Sequence, residues 1–303
     1  MKKNMKQHLI AAVMAIATLL ASCDVKDPIF NTAHPGHGTV TLTTDWSGIG
    51  EGLTAPESYT VTASTPGTTD ATAYTATLTG VTNKLDHLFA PGTYRFLVHN
   101  TAEHITVAGA SASVAAVPSE MADAGTFIHN APGWLFSCAN DLAVTQDAEH
   151  ALTAAMQQQV RQLTLIIKPK GDAKDRIERI EAYLTGAAST LDLSTGIYDK
   201  PQNVELPFTK ITTGAHAGSW SATVRLLGTA GSEQRLKASV YFADGNPSPH
   251  TVNSDLTLAL ATFNTDKRMP LTLDGTVETP SEAGFNATIT DWTPVNGGEV
   301  TAD

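Results

Sequence analysis

The stretch FAPGTYRFLVH, residues 89–99, decides the fold class. Pro91 presets φ at the first corner of a turn and Gly92 supplies the positive φ of the second. The run Thr93–His99 that follows is rich in aromatic and β-branched residues, and it reads as a strand. Upstream, Val40, Leu42, Thr44 and Trp46 alternate, predicting a strand with one buried face. Further strands are expected at Tyr59–Ala63 and Ala73–Leu78, then at Ile105–Val107, Ser113–Val117 and Trp134–Ser137.

Downstream, HALTAAMQQQ (150–159) and VRQLTLIIKPK (160–170) both alternate, with Leu163, Leu165 and Ile167 on one face. The segment GDAKDRIERIEAYLTG (171–186) fits a helix through Ile177, Ile180 and Leu184, or a strand through Ile180, Ala182 and Leu184. Its shortness favours a helical turn near Asp172–Arg176 and then a strand. Strands follow at Val204–Thr209, Ser219–Leu227 and Arg235–Phe242, the last closing on Asp244-Gly245. Leu256, Leu260 and Phe263 stand at helical spacing behind a capping Asp255, which predicts one short helix. Met269–Leu273 and Phe285–Trp292 end the fold. The total is about fourteen short strands spaced by turn signals, the pattern of an all-β sandwich protein.

The amino terminus carries the most specific signal. Lys2, Lys3 and Lys6 precede an apolar run, Leu9–Leu20, of about 12 residues, whereas a bilayer span needs roughly 20. The run ends in Leu20-Ala21-Ser22-Cys23, with small residues ahead of a cysteine, as a lipoprotein signal peptidase requires. Residues 1–22 are therefore expected to be a signal peptide and Cys23 the lipidation site. Two or three acyl chains, at roughly 0.8 kcal/mol per buried methylene, hold a protein on a membrane durably. Residues 23–38, broken by Pro28 and Pro35, read as a tether. Two tandem sandwiches are expected after it, over 39–145 and 146–303.

A formal net charge of −11 leaves no basic surface for nucleic acid. With Cys23 acylated, Cys138 has no disulfide partner, and in WLFSC (134–138) it reads as a buried, inert thiol. No constellation of catalytic or metal-binding residues assembles. His34 and His37 lie in the tether without a carboxylate cluster. His99, Glu103 and His104 lack metal-ligand spacing. Gly48, Gly50 and Gly52 do not lead into a helix that could receive phosphate. Ser111 lacks the closing glycine of a nucleophile elbow. Asp175, Glu178 and Glu181 read as a solvated edge. The expectation is no enzyme, no cofactor and no metal. Trp46 and Trp292, each following an aspartate in TTDW and ITDW, are expected to seal the ends of the two cores, the alternative being a sugar-stacking platform.

Several segments together resemble the fimbrillin-like lipoproteins of the Bacteroidales-type (type V) pilus, especially the anchor and accessory subunits. They are LASC at Cys23, TTDW at Trp46, LFAPGTYRFLVHN (88–100), RIERIEAYLTGAASTLDLSTG (176–196), RLLGTAGSEQRLKASVYFADG (225–245), SDLTLALATFN (254–264) and ATITDW (287–292). The resemblance implies two transthyretin-like or Ig-like sandwiches, an outer-membrane or surface location, a role in pilus assembly or adhesion, and pilin partners recruited by β-strand addition. In that family, stalk and tip subunits lose their lipidated segment by cleavage at an arginine. Between Cys23 and Arg95 this chain has only Lys26 and Lys84 as cationic residues other than histidine, so the anchor is expected to be kept. A surface lipoprotein binding glycans or host ligands on the same scaffold is the alternative.

Overall fold

The computed structural model describes residues 36–66, 72–119, 121, 125–245, 249–279, 289 and 291–295. Cys23, Lys26, His34 and most of the tether lie outside the described residues, as does the strand expected over Phe285–Trp292 apart from Ile289, Asp291 and Trp292.

The first strands are β1 (Thr39–Asp45), β2 (Ser58–Ser64), β3 (Thr72–Thr79), β4 (Thr82–Lys84), β5 (Gly92–His99), β6 (Ile105–Ala108) and β7 (Ser111–Val114). There follow β8 (Ala116–Val117), β9 (Phe127–Ile128), β10 (Phe136–Val144), β11 (Glu149–Ala155), β12 (Gln157–Gln158), β13 (Arg161–Lys170) and β14 (Ile177–Asp192). The last are β15 (Tyr198–Pro207), β16 (Thr209–Lys210), β17 (Trp220–Leu226), β18 (Arg235–Phe242), β19 (His250–Asp255), β20 (Leu271–Glu278) and β21 (Thr293–Pro294). The expected all-β class is what the chain adopts.

Two sheets enclose a first core. One has the order β11-β1-β4 and the other β12-β10-β5-β2-β3. Val40 and Leu42 from the first sheet meet Val61, Phe96 and Phe136 from the second. A second core lies between the sheet β16-β17-β13-β20-β21 and the sheet β19-β18-β14-β15-β9-β8, to which β7 and β6 add at the far end of β14. Leu163, Leu165 and Val224 on one side pack with Ile180, Leu184 and Val240 on the other. Alternation is the local cause: β18, RLKASVYF, buries every second residue from Leu236 to Phe242.

The segment open to two readings resolves as expected. Lys174–Arg176 is a single 3₁₀ turn, and β14 then runs sixteen residues. It passes through Gly186 at a break in its register with β15 between Leu184 and Ala187. Gly186 has φ of +75°, and a Cβ there would lie 2.5 Å from the Glu233 carbonyl oxygen, so the bulge requires glycine. Trp46 and Trp292 pack half-buried at the margins of the first and second cores respectively, as expected.

Three details depart from the sequence reading. Leu256, Leu260 and Phe263 are buried, but residues 257–265 form a run of turns, not a helix. Leu260 N donates to Leu256 O at 2.9 Å, and the next bonds tighten to the third residue back. The carbonyls of Thr262 and Phe263 also accept from the buried Arg161 guanidinium, at 3.2 and 3.0 Å. Second, β19 forms as an edge strand on β18, where the sequence suggested none. Third, β11, expected with the second sandwich, pairs with β1 and buries Leu152 and Ala154 in the first core, while β6 to β9 join the sheet of the second. An alternating strand states that it has a buried face, and not which core that face meets.

Replacing Gly186 by alanine is expected to cost about 1–3 kcal/mol, through the strained φ and the clash with Glu233. Urea unfolding of the two proteins measures the difference.

Candidate functional site

The amino-terminal strand is held from both flanks. β1 pairs in parallel with β11 from Thr39↔Glu149 to Asp45↔Ala155, and antiparallel with β4 from Thr41↔Lys84 to Thr43↔Thr82. Val40 and Leu42 are fully buried. Trp46, just past the strand, donates Nε1–H to Thr44 Oγ1 at 3.0 Å and meets Tyr59 and Phe136 edge-on. At the other end, Gly38 and Phe89 exchange backbone hydrogen bonds of 2.8 and 2.9 Å. The chain is already fixed at Gly36, whose N–H reaches Asp147 Oδ1 at 2.8 Å. Whatever precedes residue 36 is therefore tied to a strand that cannot leave without opening a core and breaking two ladders.

Arg95 sits in β5, which is flanked by β10 and β2. Its guanidinium makes a two-pronged contact with the cross-strand Asp141 carboxylate, at 2.7 and 2.8 Å. The hydrogen bond holds the Asp141 carboxyl below the usual carboxylate range and raises the guanidinium. Both groups are well exposed, so the pair adds little stability. It shows where the first arginine after Cys23 lies: in the middle of a sheet, with its backbone paired on both sides.

The remaining sequence candidates stay apart. His37 is exposed. His99 Nδ1 contacts Asn100 O at 3.0 Å, while the His104 ring stacks on His129 at 3.5 Å with Glu103 3.2 Å from its Nε2. Burial, and then the neighbouring His104, pushes His129 below its ordinary value. Ser111 is exposed on β7. Asp175, Glu178 and Glu181 are exposed, with Glu181 paired to Arg179 at 2.9 Å. Among the described residues no three His, Cys, Asp or Glu side chains converge on a metal position. Cys138 is half-buried, contacts Asn140 Oδ1 at 2.6 Å, and has its thiol pushed up by burial. Gly48, Gly50 and Gly52 hold no phosphate-binding helix. A Cβ on Gly50 would lie 2.7 Å from Arg268 O, so this loop is a close packing surface.

That surface belongs to a joint the sequence did not reveal. Buried Gln158 accepts from Gly50 N at 3.0 Å and donates to Val160 O and Lys267 O, both at 2.7 Å. Lys267 Nζ donates to Gln159 O at 2.8 Å and lies 4.7 Å from the Tyr198 ring centre. Burial lowers the Lys267 ammonium to about 7 and pushes the Tyr198 phenol up to about 12. A cavity of about 530 Å³ opens beside these groups. Its walls come from four segments far apart in sequence, around Gly48, Gln157–Gln159, Leu191–Tyr198 and Asn264–Arg268, so no local motif announces it. The sheet edge at β3 was equally hidden: the strand was legible, but not that no other described strand pairs with its outer side.

The chain matches the family model for fimbrillin-A associated anchor proteins Mfa1 and Mfa2 over residues 57–297. No curated protein matches it. Among solved structures, it is similar to the fimbrial anchor protein Mfa2 from Porphyromonas gingivalis, with a TM-score of 0.57, 12% identity, and coverage of 86% of this chain and 98% of that one. A candidate adhesin from Bacteroides ovatus gives a TM-score of 0.56 at 13% identity, covering 88% and 97%.

The joint carries a pH signature. Lys267 binds its proton less tightly in the folded protein (about 7) than in the unfolded chain, with its ordinary value of 10.5. Between these values the unfolded state holds more protons, so stability rises with pH. Relative to Lys267→Met, the wild type is expected to gain about 1 kcal/mol per pH unit across that window. Urea unfolding at pH 6, 8 and 10 tests it, and parallel curves for the two proteins would refute it.

Proposed function

The chain belongs to the family of fimbrillin-A associated anchor proteins, a fimbrial anchor or accessory subunit acting in adhesion at the cell surface, and we propose that it holds the base of a fimbrium to the outer membrane through acyl chains on Cys23. The observation that carries this reading is the retained first strand. In a subunit built to receive a neighbour's strand, the lipidated segment is cut away and a strand leaves its sheet. Here β1 is paired along both flanks, and the first arginine after Cys23 lies in the interior strand β5. A protease cutting beside Arg95 would have to extract that peptide from two ladders, which argues for an uncut chain.

An uncut chain stays continuous from Cys23 through the tether to Gly36 and the fixed strand β1. Load on the folded body then reaches the acyl chains through covalent backbone, and the acyl chains hold through their buried methylenes. The partners are fimbrial subunits. Strand addition is the physical means we propose for their docking, because an unpaired strand edge presents backbone donors and acceptors along with alternating side-chain pockets. We read the chain as a structural, non-enzymatic subunit.

Fractionation of cells carrying wild type or Cys23→Ala, with mass spectrometry of the mature terminus, tests the reading. The wild type is expected in the outer membrane, beginning at an acylated Cys23. The variant is expected to leave that fraction and to stop co-purifying fimbrial subunits with it. A mature terminus downstream of Val40, or an acyl-free Cys23, would overturn the proposal.

A further inference from the structure

Most of the outermost strands in these sheets are guarded. β12, β16, β21 and β8 are two residues long, and β4 is three. β11 carries Glu149, β19 carries Asp255, and β6 has four residues. β3 is the exception: TAYTATLT has eight residues with no charge, proline or glycine. Its register with β2 is regular from Tyr74 to Thr79, the irregularity being confined to the Thr72 end. Among the described residues nothing pairs with its outer side. Such an edge is a template for another strand.

Its side chains are sorted by face. Tyr74, Ala76 and Leu78 stand opposite Ala63, Val61 and Tyr59 of β2, which are buried, yet they remain only half-buried themselves. The other face of β3 is alanine and threonine, exposed to solvent. Two exposed large apolar side chains flank the edge. Val81 follows the turn after β3, and Leu88 adjoins His87, whose ring lies 5.5 Å from that of Tyr74.

We propose that this edge pairs with the same edge of a second copy of the chain, antiparallel about a twofold axis at Ala76. Antiparallel partners directly opposite point to the same face, so the register must match core face with core face. The axis at Ala76 does so throughout. Tyr74 meets Leu78 of the second copy, Ala76 meets its counterpart, and Leu78 meets Tyr74. On the outer face Thr75 meets Thr77, and Thr77 meets Thr75. Every pair is apolar with apolar or small with small, and no like charges oppose. The two five-stranded sheets become one, the half-buried row is covered, and the symmetric contact closes at a dimer, using up the edge.

The register makes a sharp test. Thr75 and Thr77 are exposed and point away from the core, and across the axis their Cα atoms would stand about 4.5–5.5 Å apart, within the Cα span of a disulfide. Full-length Thr75→Cys and Thr77→Cys chains, bearing different tags, are co-expressed and oxidised in intact cells. The mixed pair is expected to form a disulfide-linked dimer in preference to either variant alone. A Thr75→Lys, Thr77→Lys double variant, purified in detergent, is expected to lose the dimer seen for wild type by sedimentation while keeping the wild-type unfolding midpoint. Equal cross-linking in all combinations, a bond to a different protein, a monomeric wild type, or a dimer that survives the lysines would each overturn the proposal.

Discussion

A strand paired on both flanks is the constraint from which the rest of this structure follows. β1 gives its backbone groups to β4 on one side and β11 on the other, and its buried residues supply part of the first core. Its parallel partner is β11, the last full strand of that sandwich, more than a hundred residues further along the chain. The second sandwich repeats the device at β13, which lies between antiparallel β17 and parallel β20. In each unit a late strand returns in parallel beside an earlier one. Parallel neighbours cannot be joined by a hairpin, so the chain must complete the intervening strands before the closure forms. What forms late in this way also locks the opening strand in place.

The two sandwiches are coupled by a polar joint in place of a flexible linker. Only Gln159 and Val160 separate β12 from β13, and the amide of Gln158 is satisfied at both ends, by the Gly50 loop on one side and by Val160 and Lys267 on the other. Buried amides bonded at donor and acceptor ends are costly to break singly and fix one orientation. Lys267 is held there without a paired carboxylate, by the Gln159 oxygens and the face of Tyr198.

Much of the fold was legible in single segments. The strand after Pro91, the alternation in RLKASVYF, and the helical turn giving way to a strand at Ile177 each follow from local geometry, whereas Gly92 is near-extended and opens β5 in place of a turn corner, and LTLII is buried on both faces. The failures share a cause. At Leu256, Leu260 and Phe263 the spacing named the buried side chains correctly, but the backbone there winds through three-residue turns whose last carbonyls are held by Arg161, just over a hundred residues away. Glu149–Ala155 showed its alternation and concealed its destination. The candidate polar residues were read one at a time, and those brought together at the joint come from segments with no spacing in common.

By itself the sequence determined that the chain is all β, with two cores, no charge pattern suited to nucleic acid, and no arginine between Cys23 and Arg95. These are properties of periodicity and composition, which act over a few residues or over the whole chain. Only the tertiary structure decided that β1 is an interior strand, that β3 is an edge among the described strands, and that Gln158 and Lys267 weld the two halves. Whether a strand has neighbours, and how many of a side chain's polar atoms find partners, depends on residues far away in the chain. Such long-range pairing leaves no mark on the segments that make it.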